Sequence, residues 1–270
     1  MRLTIDSKPK REIFAALFQV LKLWTEHVTL IFEPSRVFIQ AMDKSHIALS
    51  DISIDKSWFT EYESDKTTLS VNSGQFSLII SHATKHDVLE ISFNDTNDHN
   101  NNTNNKNEED VLNIVMHSQE SDNKKPEVHS FQLALIDVEN DLIHVPEKEY
   151  DVDFAMDSKK FTEVLAELQL FGQDANIHCD EDHVTFSTSH ENTNLKISVP
   201  VDDLAEYAIA EDSEVNETFS LAHIYKMCAH MKFGQTVNLS IMKDSPMLVK
   251  YDLGSDSRLA FYIAPKVQET

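Results

Sequence analysis

Apolar residues recur at helical spacing in four segments of the chain. Phe14, Leu17, Phe18 and Leu21 follow the i, i+3, i+4, i+7 pattern within residues 10–24, which predicts an amphipathic helix. The same periodicity predicts helices over residues 72–83, 161–168 and 221–231.

Apolar and polar residues alternate in the segments between these helices. Alternation with a period of two is typical of a half-buried strand, because successive side chains point to opposite faces of a sheet. Strands are predicted at residues 28–32, 37–40, 47–54, 89–93, 112–116, 177–179, 184–186, 195–199, 237–241, 247–251 and 259–263.

The second half of the chain repeats the pattern of the first. Phe161, Val164, Leu165 and Leu168 reproduce the stripe that begins at Phe14, and strands follow in both halves. The repeat predicts an α+β fold with two similar domains, each with two helices on one face of an antiparallel sheet. We expect domains at residues 1–132 and 150–270, an acidic connector at 133–149, and a polar Asn-rich loop at 94–110.

Composition limits the possible classes of protein. The 270 residues include 46 acidic and 23 basic residues, a net charge of −23, and only two cysteines. Few cysteines fit a reducing compartment, and no apolar run approaches the roughly 20 residues of a membrane span. A soluble intracellular protein without a membrane anchor is expected. The acidic balance argues against tight binding of nucleic acid through charge alone.

Three segments together resemble one known family. They are Gln-Ala-Met-Asp-x-Ser-His-Ile at residues 40–47, Phe-Tyr-Ile-Ala-Pro-Lys-Val at 261–267, and Asp-Val-Glu followed by Val-Pro-Glu-x-Glu-Tyr at 137–150. These motifs are similar to those of proliferating cell nuclear antigen, the eukaryotic DNA sliding clamp family. Only the Asn-rich loop falls outside the resemblance.

The resemblance implies a DNA-clamp fold and a closed homotrimeric ring around double-stranded DNA, held without sequence preference. Such a ring recruits DNA polymerase, clamp loader, ligase and flap nuclease through peptides with a Gln, an aliphatic residue and two aromatic residues. It carries out no chemistry and uses no cofactor or metal. The implied location is the nucleus, or a cytoplasmic viral replication site if the source is viral.

The resemblance also assigns residues to three surfaces. The pocket for partner peptides is expected at Met42, His46, Ile47, Leu49, Leu142, Ile143, Val145, Pro246, Tyr262, Ile263, Ala264, Pro265 and Lys266. The subunit interface is expected at Val111, Ile114, Met116, His183, Thr185 and Ser187. From the helical faces, DNA is expected to meet Arg11, Lys22, Lys85, His223, Lys226 and His230. This basic lining is thin, because Glu163 and Ala166 stand where the family usually carries Arg.

Two alternatives remain at this point. A checkpoint-type clamp subunit would form a heterotrimer rather than a homotrimer. A metal-dependent enzyme would use the Asp-Glu-Asp-His run at residues 180–183, or His82 with His86, whose spacing suits a metal on a helix. The chain has only four glycines and no Gly-rich phosphate loop or nucleophile motif, which favours a protein without catalytic activity.

Overall fold

The computed structural model of the chain describes residues 1–93, 111–118, 127–138, 142–210, 213–228 and 233–266. Its contacts divide the chain into two compact units. The first unit comprises Met1–Ala41, Ile52–Leu142 and Gly254–Ser257, and the second comprises Met42–Asp51, Ile143–Leu253 and Arg258–Thr270. The expected domain boundaries were linear, whereas each unit takes a short segment from the other half of the sequence.

Two helices and nine strands are formed by the described residues of the first half of the chain. Its elements are β1 (Arg2–Ile5), α1 (Lys8–Leu21), β2 (His27–Phe32), β3 (Arg36–Met42), β4 (Ala48–Asp55), β5 (Glu61–Glu63), β6 (Thr67–Asn72), α2 (Ser73–Ser81), β7 (Val88–Ser92), β8 (Val111–His117) and β9 (Val128–Ala134). One sheet has the order β5-β1-β7-β8-β9, and further strands are ordered β4-β3-β2-β6. A 3₁₀ turn, His82–Lys85, follows α2.

The core of the first unit lies under α1 and α2. The apolar stripe of α1 is buried, and Phe18 packs edge-on against Phe76 of α2 with ring centroids 4.5 Å apart. Asn72 caps the start of α2, and its side chain accepts a hydrogen bond from the backbone of Gln75 at 2.9 Å. Such an N-cap satisfies one of the free donors of the first turn.

The second half of the chain also contains two helices and nine strands among the described residues. Its elements are β10 (Val152–Asp157), α3 (Ser158–Gln169), β11 (Asp174–Cys179), β12 (His183–His190), β13 (Thr193–Pro200), β14 (Glu206–Ile209), β15 (Val215–Ser220), α4 (Leu221–Cys228), β16 (Thr236–Ile241), β17 (Met247–Gly254) and β18 (Ser257–Ile263). A four-stranded sheet has the order β13-β12-β11-β15, and the strands β14-β10-β16-β17-β18 follow one another in a second.

The second unit repeats the packing of the first. Phe161 of α3 is fully buried and lies 6.1 Å, between ring centroids, from Phe186 of β12. Asp157 caps α3 by accepting a hydrogen bond from the backbone of Lys160 at 2.8 Å. The α+β class with two similar units is therefore confirmed.

The differences from prediction concern mainly seven strands that the alternation of apolar residues did not indicate. Strand β9 was not predicted, because Leu133 is its only fully buried side chain. Strands β1, β5, β6, β10, β14 and β15 were also not predicted. The predicted loop at residues 94–110 lies outside the described residues, as does His230. In the described part of the chain, no helix has the length and apolar character that crossing a membrane requires.

Candidate functional site

The loop that connects β3 to β4 is organised by the carboxylate of Asp43. Its Oδ1 atom accepts hydrogen bonds from the backbone of Ile47 at 2.8 Å and of Ala48 at 2.7 Å. Its Oδ2 atom accepts from the backbone of Ser45 at 3.0 Å and from the Ser45 hydroxyl. His46 adopts a left-handed backbone conformation, with φ of 56°. These bonds fix the loop and present Met42, His46 and Ile47 on one side.

The ionisation of Asp43 is shaped by the same contacts. Burial raises the pKa of this carboxyl, but hydrogen bonds from the Ser45 side chain and from the backbone of Ala48, Ser45 and Ile47 outweigh burial and lower the pKa to about 2. The carboxylate is therefore the stable form at neutral pH.

His223, in the first turn of α4, contacts this loop. Its Nε2 atom lies 3.4 Å from Oδ2 of Asp43 and 3.3 Å from the hydroxyl of Ser45, and its Nδ1 atom lies 2.9 Å from the hydroxyl of Ser220. The ring therefore bridges α4 and the loop.

The end of β18 forms another part of the site. Side chains alternate along this strand, so that Phe261 and Ile263 are buried in the core while Tyr262 points to the other side. The backbone N–H of Ala264 donates to the carbonyl of Ile47 at 2.8 Å. Burial, followed by the charge of Asp51, raises the pKa of the Tyr262 hydroxyl, with Arg258 opposing.

A cavity of about 240 Å³ lies within the second unit, between the loop, the connector and the end of β18. It is lined by Met42, His46, Ile47, Ala48, Leu49, Ile143, His144, Val145, Pro146, Lys148, Tyr150, Pro246, Tyr262 and Ala264. Four distant segments of sequence, one of them represented by Pro246 alone, thus converge on one concave, largely apolar surface, which is the usual character of a ligand site.

Most residues predicted for the pocket line this cavity, but four do not. The prediction was wrong for Ile263, which is fully buried on the core side of β18. Leu142 and Pro265 are not among the lining residues. Lys266 points elsewhere: its Nζ atom lies 2.6 Å from Oδ2 of Asp174, and its backbone N–H donates to Thr218 at 2.7 Å.

Several residues that line the cavity were not predicted from the sequence, and most of them lie in or next to the connector. His144, Pro146, Lys148 and Tyr150 line the cavity together with Ala48. These connector residues occupy alternate positions in a segment without helix or strand. Ile143 and Val145, at intervening positions, line the cavity as well, so no simple alternation in the sequence marks which residues of this segment face it.

The prediction that Arg11 faces DNA was wrong. Arg11 is 3% exposed, and its guanidinium donates to the carbonyl of Ala83 at 3.2 Å and to the carbonyls of Asp6 and Asp87. Lys22, Lys85 and Lys226 are exposed, as a DNA-facing role requires. The ring of His223 is instead engaged by the loop.

The strands predicted to meet a neighbouring subunit are interior strands. β8 pairs with β7 and with β9, and β12 pairs with β11 and with β13. Both edges of these strands are already hydrogen-bonded, so the backbone pairing with a neighbouring subunit that was expected at these strands finds no free edge there. The expected interface residues on them are Val111, Ile114, Met116, His183, Thr185 and Ser187. Among the described residues, β9 and β13 each have a partner on one side only.

The candidate metal ligands form hydrogen-bonded turns and pairs. Ligand atoms of Asp180, Asp182 and His183 lie within 4.8 Å of one another. However, Oδ1 of Asp180 accepts from the backbone of Asp182 at 2.9 Å and of His183 at 2.8 Å, which is a polar turn. His86 packs against His129, with ring centroids 4.5 Å apart.

Known proteins resemble the whole chain. The family model for the N-terminal domain of proliferating cell nuclear antigen matches residues 9–142, and the model for its C-terminal domain matches residues 144–266. Proliferating cell nuclear antigen of Chaetomium thermophilum is 30% identical over 239 residues, covering 86% of each chain. Proliferating cell nuclear antigen 2 of Plasmodium falciparum is 25% identical over 264 residues, covering 95% of this chain and 96% of the relative.

A solved structure shares the fold. The crystal structure of PCNA from Thermococcus kodakaraensis matches with a TM-score of 0.82 and 16% identity, over 98% of this chain and 99% of that one. Two similar α+β units with paired helices on antiparallel sheets define a DNA clamp. The chain belongs to the proliferating cell nuclear antigen family. It is a DNA sliding clamp, a processivity factor of DNA replication and repair.

Proposed function

We propose that this clamp recruits replication and repair proteins by binding their peptides in the cavity of the second unit. The observation that carries the proposal is the convergence of the Asp43 loop, the connector and Tyr262 on one apolar cavity of about 240 Å³. An aliphatic or aromatic anchor gains free energy by leaving water for such a surface. Polymerase, clamp loader, ligase and flap nuclease are the proposed partners.

Two adjacent connector residues provide a matched test of this proposal. Ile143 lines the cavity and Leu142 does not, although both are substantially exposed. Calorimetry with a Gln-x-x-aliphatic-x-x-aromatic-aromatic peptide is expected to show weaker binding for Ile143→Ala and for Tyr262→Ala, by about 2 kcal/mol or more. Leu142→Ala is expected to bind as the parent does. Equal affinity in all four proteins would place the peptide elsewhere.

The ring is proposed to be a homotrimer closed by β9 of one subunit and β13 of the next. Each strand presents an unpaired edge among the described residues, and such edges favour pairing with another chain. Exposed or half-exposed apolar side chains accompany both: Val128 and Phe131 on β9, and Leu195 and Ile197 on β13. Because the two surfaces differ, their contact is heterologous and closes into a ring if the rotation allows.

Further apolar residues lie beside these edges. Leu78 of α2, a helix that contacts β9, is 65% exposed. Leu170, at the end of α3, is 78% exposed. Two residues later, Gly172 lies so close to Thr188 of β12 that a side chain at position 172 would collide with it. Thr188 in turn pairs with Leu195 of β13.

Light scattering coupled to size exclusion tests the assembly. The parent is expected to be a trimer, and Leu170→Glu a folded monomer or a much weaker trimer. Leu23→Glu is the control, because Leu23 is also exposed but follows α1. A parent that is monomeric alone would instead support the checkpoint-type subunit of a heterotrimer.

The ring is proposed to surround double-stranded DNA without reading its sequence and to act in the nucleus. Topological enclosure needs no tight grip, which suits a chain of net charge −23 whose exposed helical cations include Lys22, Lys85 and Lys226. We propose no catalytic activity for it. The Asp180 turn, the strongest candidate metal cluster among the described residues, is held by its own backbone hydrogen bonds.

A further inference from the structure

The cavity differs from the rest of the molecule in its charge. His46, His144 and Lys148 line it, and none of the described lining residues is an aspartate or a glutamate. The whole chain carries twice as many acidic as basic residues, 46 against 23. The charged lining residue is therefore opposite in sign to the net charge of the chain.

The acidic residues nearest in sequence do not reverse this character. Glu147 and Glu149 flank Lys148 but are absent from the lining. Asp43 is 8% exposed, and its oxygens accept from Ser45, Ile47 and Ala48 and lie beside His223. Asp51 is also buried, with Arg258 3.9 Å away. Its charge acts on Tyr262, but it is not among the lining residues.

We propose that the cavity selects peptides that carry acidic residues next to their apolar anchors, and that Lys148 is the principal source of this selectivity. The proposal rests on the peptide-binding function proposed above and specifies the chemical class of its ligand. His46 and His144 add hydrogen-bond donors, which a carboxylate accepts.

An acidic peptide is attracted by the charge of Lys148 at the cavity and repelled by the net charge of the whole chain. At long range, an acidic peptide is repelled by a protein with a charge of −23, and salt screens this repulsion beyond about 10 Å at 0.1 M. At the cavity, the exposed Lys148 lies beside Val145 and Pro146, so a carboxylate of a bound peptide would come within the screening length of its ammonium group. Complementary charge at a binding surface contributes more to specificity than to total affinity.

The same cation also discriminates against basic peptides. A Lys or Arg next to the anchor would face Lys148 without a nearby lining carboxylate to accept from it. Such like-charge contact is a repulsive element, and specificity often depends on one. The expected order of affinity is therefore acidic, then neutral, then basic.

The test uses the full-length clamp and two synthetic peptides of the pattern Gln-x-x-aliphatic-x-x-aromatic-aromatic. In one, the positions next to the anchors are Asp and Glu; in the other, they are the isosteric Asn and Gln. Fluorescence anisotropy at about 0.05 M salt is expected to show that the acidic peptide binds roughly threefold more tightly for each acidic residue. Lys148→Glu is expected to abolish or reverse this preference.

Lys250→Glu is the matched control. Lys250 is exposed on β17 and does not line the cavity, and its substitution changes the net charge of the chain by the same amount. The preference is expected to persist in this variant. Equal affinity of the parent for both peptides, or a preference unchanged by Lys148→Glu, overturns the proposal while leaving peptide binding intact. Failure of both peptides to bind the parent overturns the peptide-binding function itself.

Discussion

The Nε2 atom of His223 lies 3.4 Å from the Oδ2 atom of Asp43. This contact joins the first turn of α4 to the loop that supplies one wall of the cavity. His223 was expected to face DNA, yet its ring is held between Ser220 and the loop. It is therefore placed to position the cavity wall rather than to bind phosphate.

Replacing His223 tests this positioning role. His223→Ala removes the contacts with Asp43 and Ser45, so peptide affinity is expected to fall by about 1 kcal/mol, the usual net contribution of a hydrogen bond. Lys226→Ala, one turn further along α4, is expected to leave peptide affinity unchanged and to weaken DNA binding. The reverse pattern, with DNA binding lost in His223→Ala alone, would restore the sequence-based assignment. Calorimetry and fluorescence anisotropy measure the two affinities.

Asp43 makes the stability of the second unit depend on pH in the acid range. Its pKa of about 2 in the folded chain lies below the unfolded value near 3.9. The carboxylate therefore stabilises the fold above about pH 4, and this contribution, about 2 kcal/mol, is lost as the pH falls toward 2. Urea unfolding is expected to show that Asp43→Asn is less stable at pH 7, with a smaller difference from the parent at the acid end of this window. A difference that stays constant with pH would mean that ionisation of Asp43 does not matter.

His86 makes the stability of the first unit fall on acidification as well, but in a higher pH window than Asp43 does. Burial lowers the pKa of His86, and the neighbouring His129 lowers it further, while Glu127 and Asp87 oppose and His82 adds a smaller lowering. A lowered histidine pKa means that stability is complete above the unfolded value near 6.5 and is lost as the pH falls through it. The Tm is expected to decrease between about pH 8 and pH 5.5.

The substitution His129→Gln distinguishes the contribution of the His86–His129 pair to the pH dependence of Tm from that of other histidines. It removes the ring packed 4.5 Å from His86, so the decrease in Tm on acidification is expected to be smaller than in the parent. His27→Gln, at the exposed start of β2, is the control and is expected to retain the full decrease. An identical decrease in all three proteins would assign the effect to other groups.

Substitutions of Arg11 and of Lys22 are expected to have different effects, one on stability and the other on DNA binding. Arg11→Met leaves the carbonyls of Ala83, Asp6 and Asp87 without their donor, so unfolding is expected to require about 2–3 kcal/mol less. Lys22→Met is expected to leave stability within about 0.5 kcal/mol of the parent and to weaken DNA binding with a shallower salt dependence. Urea unfolding and anisotropy at several salt concentrations check both. A destabilised Lys22→Met with a normal Arg11→Met would reverse the assignment.

The sequence was sufficient to predict the helices because their apolar stripes coincide with their buried faces. The same stripe contained the signal that was misinterpreted for Arg11. Position 11 precedes Phe14 by three residues and Phe18 by seven, which places it on the buried face. A cation was assumed to be in solvent, whereas its partners are backbone carbonyls, and those partners are visible only in the folded chain.

The edges of the sheets could not be predicted in the same way. Whether a strand has one partner or two is decided by topology, and a strand's own residues do not report it. Ile114 and Met116 alternate as clearly as any edge strand, yet β8 is interior. β9 is the outermost strand of the same sheet, and only one of its seven residues is buried, so no buried face was available to predict it. Most residues of the expected pocket motifs line the cavity, since each motif is local in sequence. Ile263 was assigned by motif, whereas alternation along β18 places it in the core.

Alternation in β18 has a further consequence for the dynamics of the chain. Tyr262 borders the cavity, while Phe261 and Ile263 on either side of it are buried in the core. A peptide that contacts Tyr262 binds only when this final strand is in place, so ligand binding must oppose its local opening. Amide hydrogens of β18 should then exchange more slowly with deuterium when the cavity is occupied. The exchange rate of the β18 amides thereby indicates whether the cavity is occupied.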